Sequence, residues 1–381
     1  MHTKGYAAAE TQASLENATF LIERAEERGE PPEDPLILFS NLYGFWTVSF
    51  QHFNREAVCN LAAQFLELAE KQRASGPVMV GRRLLGTSLT LAGDFVRGRA
   101  HFDQAIALYD PVEHRSLTTR FSQDLGAVIL TQRSTALWIL GYPNSARTDF
   151  ERGIRHAREI GHAATLMYAL ATASYTNLHL GDCAAEIGVL DELAVLAEQK
   201  AAVLWQVLEK CARGALLTVI DNPSGAVEIL SAGIASLRSG GATTWALIWL
   251  PWLALANAQL GKSDEAWHCI SEALSLIEES NQRGVEAEVH RVAGEILLAS
   301  AIPDERKGEE HFACALTVAR QQLAKSWELR ASVSLARLWR EQGKPQQARE
   351  LLAPVYGWFT EGLDTRDLKE AKVLLEELEA T

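Results

Sequence analysis

The chain has 381 residues, 48% of them hydrophobic and 22% charged, so it can bury a substantial core and is not a disordered polymer. Its formal net charge of −13 argues against nucleic acid or an anionic membrane as a main partner, because phosphate contacts need a basic footprint. The five cysteines, Cys59, Cys183, Cys211, Cys269 and Cys314, form no CxxC pair, the pattern of reduced thiols in a cytosolic protein.

Residues 1–10 (MHTKGYAAAE) lack the apolar core of a secretory signal. A leading helix is expected over 10–28, stopped by GEPPEDP at 29–35, whose three prolines cannot continue it. A repeating unit then runs to residue 359. Its turns are marked by Gly93, Gly141, Gly181, Asp221, Gly261 and Gly343, with spacings of 40 residues between Gly141, Gly181, Asp221 and Gly261. A weaker turn lies in SAIPDER, 300–306. The stretch DPVEHR, 110–115, is an insertion that lengthens the Gly93–Gly141 interval to 48. A closing helix is expected over 365–379.

Each unit reads as two antiparallel helices. Five residues after the turn stands Ala146, Ala226, Ala266 or Ala348. Nine after stands Phe102, Phe150, Leu190, Leu230, Ile270 or Leu352, on the same helical stripe. The small alanine lets two helices approach, and the large residue fills the gap to the next unit. Sixteen residues before the turn stand Leu125, Thr165, Trp205, Trp245 and Trp327. A hairpin with Gly at the turn and Ala followed by a large apolar residue resembles the tetratricopeptide repeat. The resemblance implies an all-α, right-handed superhelix of about seven hairpins with a leading and a closing helix, as one array over 1–381.

Chemical motifs are sparse. Gly261-Lys262-Ser263 ends like a phosphate loop, but Ala256 stands where the first glycine is required and the preceding period is helical. No HExxH is present, and the ten histidines are scattered. Glu286 and His290 share a helical face while Glu288 points away, which reads as a salt-bridge position rather than a metal site. Cys269 adjoins His268, and neighbours on a helix diverge. The apolar run 245–256 is too short for a bilayer span and is broken by Pro251. The expectation is therefore a protein with no catalytic residue, metal or cofactor, partnered by protein or peptide rather than by nucleic acid or membrane. In such a solenoid the first helices line the concave face. Trp205, Trp245 and Trp327 either anchor a partner there or pack between units. Arg133 and Arg213, each eight residues before a turn, either accept an acidic segment or pair within the protein. Trp249 and Trp252 read as core. Arg82-Arg83 is a local basic strip in an otherwise acidic chain.

The segment 324–378, AKSWELRASVSLARLWREQGKPQQARELLAPVYGWFTEGLDTRDLKEAKVLLEEL, resembles the C-terminal end of a family of bacterial signalling proteins. These join a class III adenylate/guanylate cyclase domain, an AAA-type ATPase module and a long tetratricopeptide arm. GEPPEDPLIL at 29–38, LAAQFLELAEK at 61–71, GRAHFDQAIALY at 98–109, ALWILGY at 136–142 and AEVHRVAGE at 287–295 extend the resemblance over the arm. The cyclase's metal-binding aspartates and the ATPase's phosphate loop have no counterpart in this sequence, so no catalytic residue carries over. The resemblance implies a sensor or docking arm acting on a cyclase or ATPase module in trans, whether as a stand-alone arm, a split gene product or a remnant.

Overall fold

The computed structural model describes residues 36–380, so the expected leading helix, 10–28, lies outside the described residues. Eight helical hairpins follow one another. They are α1 (Ile37–Gln51) with α2 (Arg55–Lys71), α3 (Ser75–Leu91) with α4 (Phe95–Ala107), and α6 (Leu125–Ile139) with α7 (Pro143–Ile160). Next come α8 (Ala163–Leu180) with α9 (Cys183–Gln199), α10 (Val203–Val219) with α11 (Pro223–Ser239), and α12 (Thr243–Gln259) with α13 (Ser263–Ser280). The last two are α14 (Glu286–Ala299) with α15 (Glu305–Gln321) and α16 (Lys325–Glu341) with α17 (Pro345–Tyr356), before the closing helix α18 (Arg366–Glu379). The insertion after α4 forms a 3-10 turn, Glu113–Ser116, and the short α5 (Leu117–Phe121). The array is all-α and tetratricopeptide-like, with one hairpin more than the glycine turns announce. The extra turn, His52-Phe53-Asn54, has no glycine. Asn54 caps α2 by accepting from the Ala57 N–H at 3.0 Å.

The joints show why the glycines recur. The turn residue adopts a left-handed conformation, with φ of +87° at Gly93, +92° at Gly141 and +81° at Gly181. At these three a side chain also has no room. A Cβ would lie 2.4 Å from Gln322 at Gly93, 2.4 Å from Trp358 at Gly141 and 2.7 Å from Arg366 at Gly181. At Gly261 and Gly343 the space is open.

The difference reports the superhelical pitch. Hairpin n meets hairpin n+5. The Thr244 hydroxyl in hairpin six donates to the Phe50 carbonyl in hairpin one, and the Trp245 ring sits edge-on to Phe50 at 5.8 Å. Gly284, just before hairpin seven, presses on hairpin two, where a Cβ on it would lie 2.9 Å from the Thr90 carbonyl. Ser326 in hairpin eight donates to the Trp138 carbonyl in hairpin three. The Ser145 N–H, also in hairpin three, donates to Glu361 at 2.9 Å. The second superhelical turn is therefore seated on the first, and apolar clusters span both: Trp138 and Met167 pack with Ala319, Ala324 and Trp327.

Within the hairpins the alanine stripe is fully buried at Ala146, Ala226, Ala266 and Ala348. Its partners Phe102, Leu190, Leu230, Ile270 and Leu352 are fully buried as well. None of these faces can be covered inside one hairpin, so stacking carries the stability.

Candidate functional site

Where the two superhelical turns meet, their inner helices line an apolar cavity of about 100 Å³. Its walls come from both turns. Phe50, Thr87, Gln132 and Tyr168 belong to the first, and Thr244, Trp245, Trp249 and Val285 belong to the later hairpins. No charged residue lines it; Arg83 lies behind Gln132 and Tyr168, outside the lining. Arg83 is buried at 2% exposure. Its Nε donates to Gln132 Oε1 at 3.1 Å and its Nη2 to the Tyr168 hydroxyl at 3.2 Å. Its guanidinium also lies over the Trp46 ring at 5.2 Å. Nη1 is buried with no hydrogen-bond partner. Burial works against this charge, and the neighbouring Tyr168 and Tyr43 hydroxyls favour it, so the group stays cationic. Thr87 bonds Gln132 Oε1 at 2.9 Å, and Gln132 Nε2 also donates to Tyr168. Two further buried donors have no partner, the indole N–H groups of Trp245 and Trp249.

A second inner region, among α14, α16 and α18, holds a polar cavity of about 390 Å³. Its charges are mutually satisfied. Glu288 takes Arg291 at 2.7 Å and Arg330 at 2.9 Å, and Arg330 also reaches Asp367 at 3.1 Å. Burial raises the Glu288 carboxyl, but Arg291 and Arg330 outweigh it and hold Glu288 well below the usual carboxylate range. Glu288 thus turns to Arg330 on α16, while Glu286 pairs with Arg283 and His290 meets His311.

The residues singled out in the sequence scatter over several environments. Trp327 is 1% exposed, with Trp138 at 4.7 Å and His179 at 5.3 Å, so it is interturn core and not a groove anchor. Trp245 lines the cavity, and its half-buried ring faces inward. Trp205 is half-buried, edge-on to Tyr168 at 5.8 Å. Arg133 is held by Asp149 at 2.6 Å and Asp103 at 2.9 Å, and Arg213 by Glu209 at 2.5 Å and Asp191 at 2.9 Å. Each arginine is thus paired within the protein by two carboxylates. Arg82 pairs on the surface with Glu70 at 2.9 Å. Trp249 and Trp252 are buried. Among the described residues no group of His, Cys, Asp and Glu could hold a metal ion, and no helix is long and apolar enough to cross a membrane.

No family model matches the chain, and no curated protein matches it. Among solved structures, the apo form of RapI aligns with a TM-score of 0.48 and 10% identity, over 78% of this chain and 99% of that one. A signal transduction ATPase with numerous domains and a tetratricopeptide repeat sensor, PH0952 from Pyrococcus horikoshii, aligns with a TM-score of 0.41 and 12% identity. That alignment covers 99% of this chain but 56% of the other. Yeast Tom70 aligns with a TM-score of 0.33 and 13% identity over 98% of this chain and 93% of that one.

Proposed function

We propose that the chain is a non-catalytic regulatory module, a single tetratricopeptide-like array over 1–381 that acts on a partner protein in the cytoplasm. The observation that carries this is the double origin of the inner cavity. Its wall is shared by hairpins that touch only because the superhelix completes a turn, so whatever occupies it acts on the turn-to-turn contact and hence on pitch. A helical peptide about 10 Å across does not fit a cavity of this size. A partner segment therefore lies along the concave face beside this cavity rather than inside it. The resemblance of 324–378 to the arms of cyclase–ATPase signalling proteins supports a class III cyclase or AAA-type ATPase module as that partner. A general adaptor unrelated to cyclic nucleotides is the alternative.

The test is direct titration of the full chain against the cyclase and ATPase modules of its own organism, by calorimetry and by nucleotide turnover. Saturable binding with altered turnover of either module is expected. Absence of binding to both would overturn the cyclase–ATPase assignment and favour the general adaptor.

A further inference from the structure

Threonines and glutamines line the cavity between the two superhelical turns, but their polar atoms are spent on the protein. The hydroxyls of Thr87, Thr90 and Thr244 donate to the carbonyls of Arg83, Gly86 and Phe50. The Thr135 hydroxyl bonds that of Thr176 at 3.0 Å. The side-chain amides of Gln132 and Gln282 donate to the Tyr168 hydroxyl and to the Thr244 carbonyl. What these side chains leave to the cavity is carbon, and its other walls are aromatic or aliphatic. The floor, Phe50, Phe95, Ile139, Trp249 and Val285, is buried. The rim, Ala171, Thr172, Trp245 and Ile248, is half-buried, so the floor is reached past these residues. An unfilled apolar cavity forfeits contacts on its lining, and water finds no hydrogen-bond partners in it.

We propose that this cavity binds a small neutral apolar molecule of single-ring size. Its volume of about 100 Å³ is far below the roughly 300–1,000 Å³ of a drug-sized site, and approaches the ~150 Å³ at which an apolar protein cavity takes up benzene. An ion of either sign would lose its hydration and meet no counter-charge on the lining. A neutral ring loses little on leaving water and gains contact with Phe50 and Phe95 from the first turn and with Trp249 and Val285 from the second. Those contacts exist together only while the two turns are seated, so the occupant favours the seated superhelix. The inference deepens the regulatory reading above, on which its consequence for the partner rests. Binding itself is tested on the isolated chain, so that its failure leaves the partner titration unaffected.

The probes are toluene, benzoate and benzylammonium, one ring shape carrying no charge, a negative charge or a positive charge. Toluene should raise the melting temperature of the full chain saturably, by about 2 °C or more, because it binds the folded state alone. Benzoate and benzylammonium should bind roughly tenfold or more weaker. Methyl NMR locates the probe: Ile139, Ile248 and Val285 should shift with toluene, and Ile234, buried on α11 away from the cavity lining, should not. Ala171→Leu fills the rim and should abolish the toluene response without lowering the melting temperature of the ligand-free protein. If that variant fails to fold, Val285→Ala widens the floor instead and should strengthen binding of the larger ring of indole relative to toluene. Equal binding of the three probes, no saturable response to toluene, or a response that leaves the Ile139 and Val285 methyls unmoved would overturn the assignment.

Discussion

Glu186 offers a quantitative test of how this array is packed. It lies on α9, fully buried, accepting from the Ser174 hydroxyl and from Asn177 Nδ2 at 3.0 Å. Burial pushes its carboxyl up to about 8 from an ordinary 4.5, against the opposing effects of Ser174, Asn177 and Arg213. The folded protein therefore holds a proton that the unfolded chain has released between these two values. Stability contributed by this group is fully present below the unfolded value and declines as pH rises through the window, by about 1.4 kcal/mol per pH unit. From about pH 4.5 to about pH 7 the loss amounts to about 3 kcal/mol. Glu186→Gln mimics the neutral acid without titrating. The variant should match the wild type near pH 4.5 and exceed its stability by about 3 kcal/mol near pH 7. Urea unfolding followed by circular dichroism, with the two proteins compared across that range, measures the difference. A variant-minus-wild-type difference that stays flat with pH would refute the burial argument for this carboxyl.

Trp327→Ala should cost about 3–5 kcal/mol, because it empties a fully buried site shared by two superhelical turns; a loss below about 1 kcal/mol in urea unfolding would place the ring outside the core. Arg330→Met leaves Glu288 with Arg291 alone and Asp367 with Arg366 alone and should cost about 3 kcal/mol, whereas surface Arg340→Met, which loses an exposed pair with Glu377, should change little. Thermal melts of the two variants side by side check the contrast. His179, buried against Tyr175, Trp138 and Trp327, is pushed down to about 4 by burial and Arg330, so it contributes stability above about pH 6.5 that is lost as pH falls toward 4. His179→Gln should flatten that acid limb in urea unfolding between those values. Asn54→Ala should cost about 1 kcal/mol through its lost cap, measurable as a lower urea midpoint.

The hairpins themselves were legible because their signals are local. A left-handed turn favours glycine, and a close helix pair favours alanine, at fixed offsets within 20 residues of each other. The relation between hairpin n and hairpin n+5 was not legible, since pitch accumulates from small rotations at every interface and no single residue encodes it. The three aligned tryptophans show the consequence. Trp327 belongs to hairpin eight and meets hairpin three, so it is sealed. Trp245 belongs to hairpin six and meets hairpin one, so it walls a cavity. Trp205 belongs to hairpin five, whose n+5 and n−5 positions hold no described hairpin, and it stays half exposed. Arg133 and Arg213 stood out by register, yet their fate turned on Asp149 and Glu209, one on the neighbouring helix and one a helical turn away. A usable sequence signal for the buried inner faces did exist: α1, α3, α6, α8 and α12 carry no acid in a chain of net charge −13.

The seating of one superhelical turn on the other is the claim on which the cavity and the regulation both depend. Cysteines placed at Ser145 and Glu361, 216 residues apart but joined by the N–H to carboxylate bond at 2.9 Å, test it most directly. With Cys59, Cys183 and Cys314 replaced by serine, mild oxidation of a dilute monomer should link positions 145 and 361 within one chain, detected by mass spectrometry of the digest. Failure to form that link, or linkage only between chains, would contradict a closed interturn contact.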